Sequence, residues 1–389
     1  MVDVEISDYD VVVVGAGFAG SVFAERAASI GKKVLIIDKR NHIGGNSYDE
    51  LDDSGILVHK YGPHLFHTNS SQVFNYLSKF TRWDLYFHKV LSYVDSNLVP
   101  FPFNLNSLYV VFPPEFAKKL ESKLLNLFSF GDKISILDLK NHDDEDLRIL
   151  FNYIYDKFFL NYTLKQWGLN PDDIDDSVLS RVPIVLNKNN GYFDDIFQGV
   201  PSKGYSNLFK RMLDNSNIKV LLNTNFSDIF EIKDSGIFFK EEKFKGKLVY
   251  TGMIDELFNF KFGELPYRSL DLKFEKLNIS KFQSVATVNY PNNFNFTRIT
   301  EFKHIHPSTG TDKTIILKEF PIKHDKGKTI PFYPILTERS IELFNKYLEH
   351  SKMWDNLILL GRLAEFKYYD MDDIVERALI IFNGLRSKL

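Results

Sequence analysis

The run Asp10-Val-Val-Val-Val-Gly15-Ala-Gly17-Phe-Ala-Gly20, followed by Val34-Leu-Ile-Ile-Asp38 and Gly44-Gly45-Asn46, limits what this chain can fold into more than any other stretch. Four apolar residues lead into three glycines, Phe18 to Ile30 continues with helical periodicity, and Gly31 supplies a stop. The pattern predicts a strand, a tight turn, a helix and a second strand: a nucleotide-binding βαβ unit. Gly15 permits the turn, Gly17 lets a pyrophosphate approach the positively polarised helix N-terminus, and Gly20 lets the helix pack close to the strand. Asp38 closes the second strand, where a carboxylate holds a ribose hydroxyl. A packed βα corner with no ligand is the plainer alternative.

A chain of 389 residues with 44% hydrophobic content buries a large core and has room for two or three lobes. A formal charge of −3 from mixed acidic and basic residues argues against a nucleic-acid binder, so an anionic ligand needs locally clustered arginines. The absence of cysteine excludes disulfides, zinc thiolates, thiol nucleophiles and a redox dithiol. No signal pattern opens the sequence, and no run approaches the roughly 18 apolar residues of a membrane span. The expectation is a cytoplasmic enzyme with no membrane insertion and no nucleic-acid partner.

Val58-His-Lys-Tyr-Gly-Pro-His64-Leu-Phe-His67-Thr68 carries closely spaced histidines without Asp or Glu, which favours packing against a ligand over a metal site; no metal is expected. From about residue 70 to 175 the apolar spacing is helical, broken by Pro100, Pro102, Pro113 and Pro114, and Asp143 to Asp146 reads as a helix start. Tyr153, Tyr155, Phe158, Phe159, Tyr162 and Trp167 form a dense aromatic group, core for the most part. Residues 178–202 read as strands and turns. The helix from Gly204 and the strand from Ile218 return to the βα style of the N-terminus, so the chain is expected to re-enter its first domain. Lys247 to Gly252 adds a strand and turn, and 271–288 and 313–320 alternate like antiparallel strands. Asn356 to Gly361 leads through a loop to a helix near Asp370 or Met371.

Taken together, Gly15 to Gly20, His42-Ile-Gly-Gly-Asn46, His59 to Thr68, Lys165-Gln-Trp-Gly168, Arg181-Val-Pro183, Tyr267-Arg-Ser-Leu270, Thr297-Arg298, Glu301, Gly361-Arg-Leu363, Tyr368 and Asp370-Met-Asp372 resemble the bacterial UDP-galactopyranose mutase family along nearly the whole chain. The resemblance implies an α/β fold: a Rossmann-like FAD-binding domain with a helical-bundle lobe and an antiparallel-sheet lobe. The expected boundaries are 1–80, 203–256 and 352–389 for the FAD domain, 81–175 for the helical lobe with its mobile substrate loop, and 176–202 with 257–351 for the sheet lobe. It also implies a redox-neutral isomerase in which reduced FAD, through N5, is the nucleophile at the anomeric carbon of a nucleotide-diphosphate hexopyranose. A reductant such as NAD(P)H and a homodimer come with it.

By the same resemblance, Arg181 and Arg298 grip the diphosphate, a role suited to planar, permanently charged guanidinium groups. With His64, close to the isoalloxazine, they make up the catalytic set. Tyr162, Trp167, Tyr192, Arg268, Tyr333 and Tyr368 are the implied substrate-side residues. Gly15, Gly17, Phe18, Gly20, Asp38, Lys39, Gly45, Asn46, His64, Arg362, Asp370 and Met371 are the implied cofactor-side residues. The chain departs from the family pattern at Val185, Lys188, Gly191, Met253 and Phe366. These departures leave the sugar open: UDP-galactose is the default, with UDP-N-acetylgalactosamine or dTDP-fucose served by the same chemistry. An amine oxidase-like flavin oxidoreductase and a flavin-binding scaffold are the competing readings.

Overall fold

The computed structural model describes residues 5–140, 142–167, 183–307 and 310–389. β1 (Val11–Val14) sends Val11 and Val13 to one face and Val12 to the other, and all three are fully buried. It pairs in parallel with β2 (Val34–Ile37) on one side and Lys247–Tyr250 on the other. Ile218–Leu221 extends the sheet beyond β2, and Leu357–Leu359 forms the opposite edge. A sheet with every pairing parallel needs both faces covered. On the Val11/Val13 face lie α1 (Phe18–Ala28) and the helices Tyr205–Met212 and Met371–Leu385, with Phe23 against Phe382 at 5.9 Å. Phe230, Leu257, Tyr347 and Trp354 close the Val12 face. Strands from four distant parts of the chain thus build one cofactor-type sheet.

A second sheet has seven strands in the order Tyr333–Pro334, Tyr267–Leu277, Thr314–Lys323, Arg298–Glu301, Thr287–Asn289, Val90–Val94, Asn97–Phe101. Its neighbours are antiparallel except Thr287–Asn289 with Val90–Val94. Two expectations are corrected here. The region from 70 to 175 is not helical throughout, because Val90, Ser92 and Val94 alternate inward and Asp95-Ser96, both at positive φ, turn the chain back into a hairpin. Nor do the strands within 176–202 join this sheet: Ile184–Val185 pairs with Lys133–Ile134, and Phe197–Pro201 lies between Phe66–Thr68 and Trp83–Leu85.

The helical part packs around Leu120, Leu124, Leu147, Leu150 and Ile154. The expected acidic helix start is present: Asp144 caps Glu145–Ile154 by accepting from the Asp146 and Leu147 N–H groups. That helix continues through a wide π-helical stretch, Tyr155–Leu160, into Asn161–Trp167. The extra residue per turn changes its phase, and Phe158, Phe159, Tyr162 and Thr163 come to face a central cavity. Among the described residues no helix is long and apolar enough to cross a membrane.

Candidate active site

The cavity has a volume of about 870 Å³ and runs from the βαβ turn to the face of the seven-stranded sheet. At its first end two glycines, Gly15 and Gly45, leave no room for a Cβ. Gly15 has φ 104°, and a Cβ there would fall 2.1 Å from Thr251 Oγ1. A Cβ on Gly45, itself at φ 56°, would meet Gly17 Cα at 2.8 Å. Gly17 is the N-cap of α1, so two bare backbones face one another at a helix N-terminus. Beside them Arg40 donates from Nη2 to Asn46 Oδ1 at 2.8 Å and lies over the Tyr61 ring at 4.2 Å. Its Nη1 is buried with no partner among the described residues. A bare-backbone cradle at a helix N-terminus with an unsatisfied guanidinium N–H beside it fits the pyrophosphate of a dinucleotide.

Asp38 lines this end, but its Oδ2 accepts from Ala16 N–H at 2.8 Å and its Oδ1 from Arg40 N–H at 2.9 Å. It therefore fastens the glycine turn to the end of β2, and only its remaining lone pairs are left for a ribose. Gly20 does not line the cavity; a Cβ there would sit 2.0 Å from Gly15 O and 2.8 Å from Val13 Cγ1. Its contribution is the close seating of α1 on β1.

Midway, His64 donates from Nδ1 to Gly62 O at 2.9 Å, leaving Nε2 bare in the neutral ring. Burial lowers its pKa to about 4, and the nearby Arg362 charge acts in the same direction. The His64 N–H donates to His59 Nδ1, so the neutral His59 donates from Nε2 to His306 Nε2 at 3.1 Å. Of the histidines noticed in the sequence, His59 and His64 are tied to each other through the backbone, and His67 Nδ1 is bonded to Asp195 Oδ2 at 3.1 Å. Arg362 donates to Phe332 O and to Tyr369 O and lies over the rings of Tyr333 and Tyr368.

The far wall is one face of the seven-stranded sheet. Asn289 is paired with Arg298, Arg298 with Glu319, and Thr287 lies two residues before Asn289, so register puts all four on the same side. Arg298 Nη2 donates to Tyr162 OH at 2.8 Å, and its Nε is 3.6 Å from Glu319 Oε2. Burial works against the Arg298 charge, but Tyr162 and Glu319 outweigh it and hold the guanidinium protonated. Burial raises the Glu319 pKa, with Arg298 opposing. Thr287 Oγ1, Asn289 Oδ1, Arg298 Nε and Glu319 Oε1 are buried with no hydrogen-bond partner among the described residues. Such a concentration of unmet polar atoms on a cavity wall calls for a polyhydroxylated or charged ligand.

Comparison with known proteins agrees with this geometry. A UDP-galactopyranose mutase family model matches residues 157–368, and an NAD(P)-binding Rossmann-like domain model matches 13–80. A UDP-galactopyranose mutase of Mycoplasma genitalium is 37% identical, with 96% of this chain and 93% of that protein covered. The chain belongs to the UDP-galactopyranose mutase family. It is thereby a nucleotide-sugar mutase, an isomerase with FAD as cofactor. A dTDP-fucopyranose mutase of Escherichia coli is also similar, at 33% identity over 95% of this chain and 96% of that protein. The crystal structure of a reduced UDP-galactopyranose mutase shares the fold, with a TM-score of 0.71 at 15% identity over 98% of this chain and 94% of that one.

In this mutase fold the residues expected from sequence mostly converge. Gly15, Gly17, Phe18, Asp38, Lys39, Gly45, Asn46, His64, Arg362, Asp370 and Met371 line the cavity toward the glycine turn and its middle. Tyr162, Tyr192, Arg298, Tyr333 and Tyr368 line the remainder. Arg268 is not on the cavity wall; its guanidinium donates to Lys165 O at 2.9 Å, near the C-terminal end of helix Asn161–Trp167, where a cation complements the helix dipole. Arg181 and the Trp167 side chain lie outside the described residues. Sequence reasoning missed Glu319, Thr287, Asn289 and His88. His88, whose pKa burial lowers to about 3 with Arg298 and His67 adding to it, lines the cavity with Nδ1 bonded to Tyr86 OH. Strand alternation in Thr287-Val-Asn289 and Lys318-Glu-Phe320 was the available signal, but only the register reveals their common face.

Proposed function

We propose that the chain interconverts UDP-galactopyranose and UDP-galactofuranose, with the glycine end of the cavity holding the FAD pyrophosphate and the sheet wall receiving the nucleotide sugar. The observation that carries this reading is Arg298, a half-buried guanidinium on the cavity wall with Tyr162 and Glu319 as its only side-chain partners among the described residues and a buried Nε left unmet. Reduced FAD, when bound, supplies the nucleophile toward the anomeric carbon. The protein's work is to bind, align and neutralise. Arg298, with Arg181 as the family resemblance implies, pairs with the diphosphate as negative charge develops on departure. Tyr162, Tyr192, Tyr333 and Tyr368 donate hydroxyls to phosphate or sugar oxygens and exclude water with their rings. Neutral His64, its proton fixed on Nδ1, presents an acceptor toward the middle of the cavity.

The same proposal takes NAD(P)H as reductant and a homodimer as the assembly, both on the family resemblance alone, and the cytoplasm as the place of work. It also keeps the division into a discontinuous cofactor domain and two substrate lobes, amended for the strands at 90–101 and 184–201. The experiment is incubation of dithionite-reduced holoenzyme with UDP-galactose, UDP-N-acetylgalactosamine and dTDP-fucose, with furanose product resolved by chromatography. UDP-galactofuranose as the main product supports the reading. Preferential turnover of dTDP-fucose moves the chain to that substrate, and steady oxygen consumption with an oxidised product overturns mutase chemistry.

A further inference from the structure

The Lys165-Gln-Trp-Gly168 run is a sequence motif that the mechanism above leaves without a task. Lys165 is half-buried, and its Nζ lies 2.5 Å from Tyr290 O, 3.1 Å from Phe294 O, 3.3 Å from Phe296 O and 3.5 Å from Asn292 O. Four carbonyls of a single loop converge on one ammonium. An ammonium has three N–H donors, so the carbonyls share them, and without the cation their dipoles would point at one another across a partly dry space. Burial lowers the Lys165 pKa to about 8, so the ammonium is still the main form at neutral pH.

The position of this cage gives it a consequence. The loop joins strand Thr287–Asn289 to strand Arg298–Glu301, so its two ends carry Asn289 and Arg298. Helix Asn161–Trp167 carries Tyr162 three residues before Lys165, on the same helix face. Arg298 and Tyr162 meet at 2.8 Å. The same two elements are bound again by Asn161 Nδ2 to Asn292 Oδ1, and Asn292 Nδ2 to Lys157 O ties the loop to the π-helical stretch that precedes the helix. Arg268 holds the Lys165 carbonyl from the sheet side. Lys165 itself does not line the cavity.

We infer that Lys165 is a positioning residue for the diphosphate end of the site: its ammonium cross-links the helix of Tyr162 to the loop of Arg298 and sets the two side chains at the spacing in which they receive the substrate. This rests on the proposed function and adds a residue that acts without touching the ligand. The guanidinium and phenol are thereby preorganised before the nucleotide arrives, which removes an ordering cost from binding.

The test is a double-mutant cycle on oxidised holoenzyme, with UDP affinity measured by calorimetry for wild type, Lys165→Met, Arg298→Met and the double variant. Lys165→Met weakens UDP binding on the order of tenfold, and the double variant binds within about twofold of Arg298→Met alone, because Lys165 acts through Arg298. Lys165→Gln, which keeps two N–H donors for the cage, falls between wild type and Lys165→Met; it replaces Lys165→Met in the cycle if that variant loses FAD. Losses that multiply in the double variant, or unchanged UDP affinity in both Lys165 variants, overturn the inference while leaving the proposed function standing. Wild-type protein that binds neither UDP nor dTDP overturns the proposed function, and this inference with it.

Discussion

Replacing Arg298 with methionine keeps the aliphatic stem and removes the charge. At 3.6 Å from Glu319, the lost attraction is about 4–5 kcal/mol at an effective dielectric of ~20, an upper figure because the cavity is open to water. Glu319 is almost fully buried, and its pKa, already raised by burial, rises further once Arg298 no longer opposes that rise. The carboxyl is then more readily protonated, Tyr162 loses the Arg298 donor, and the diphosphate loses a partner where charge develops. The expected result is a fall in kcat/KM on the order of 10²–10³, as for loss of one preorganised donor to developing charge. The cavity end near Gly17 is untouched, so flavin absorbance per protein is unchanged. A paired variant, Arg298→Met with Glu319→Gln, regains thermal stability without regaining turnover, since it removes the buried acid but not the need for a cation. Kinetics of reduced enzyme with chromatographic product detection decide the matter. Turnover of Arg298→Met within tenfold of wild type, or loss of FAD together with activity, refutes the reasoning.

Two glycines separate seating from ligand access. Gly20→Ala puts a Cβ 2.0 Å from a backbone carbonyl, so it yields misfolded or FAD-free protein, whereas Gly17→Ala meets only Gly45 Cα at 3.6 Å and folds with weakened FAD affinity; equal FAD content in both after purification contradicts this. Stability falls with acid. His64, His88 and His306 have pKa values lowered mainly by burial to about 4, 3 and 4, so the unfolded chain binds protons below its ordinary histidine pKa of about 6.5 while the folded chain does not. The histidine contribution is therefore complete above pH 6.5 and is lost progressively toward pH 4. Thermal melts across that range should show the decline, lessened in His306→Gln, and a flat melting temperature from pH 7 to pH 4.5 would contradict the assignment.

Local features of the sequence were legible because local chemistry determines them. The apolar run into Gly15, the stop at Gly31 and the acidic cap at Asp144 each satisfy a backbone need within a few residues, and the structure has a turn, a helix end and a cap there. The returns of the chain near Ile218 and Leu357 were also readable, since each is a strand-length run made mostly of apolar residues. What escaped depends on pairing partners. Val90 to Phe101 read as part of a helical region because its prolines were taken as helix breakers, although Pro100 sits in the edge strand Asn97–Phe101, where a missing N–H costs no ladder bond. Glu319 lies in an alternating strand, and only the register against Arg298 makes it the buried partner of the clamp. Arg268, by its motif position a structural arginine near the site, donates to Lys165 O, a contact that no spacing along the chain reveals.

The interleaved order of the parallel sheet bears on how the protein is made. β1 and β2 leave the ribosome early, yet their neighbours at Ile218–Leu221, Lys247–Tyr250 and Leu357–Leu359 come much later, and parallel pairing between remote segments is intrinsically slow. At roughly 5–20 residues per second, the glycine turn waits tens of seconds for Arg362 and Met371 to be synthesised. During that interval the nascent βαβ unit has an open edge on each side, exposed to pairing with other chains. FAD contacts both the earliest and the latest of these segments in the proposed reading, so cofactor capture during synthesis favours the native closure over aggregation. Riboflavin-starved expression should then lower the yield of folded chain more than the loss of activity alone accounts for.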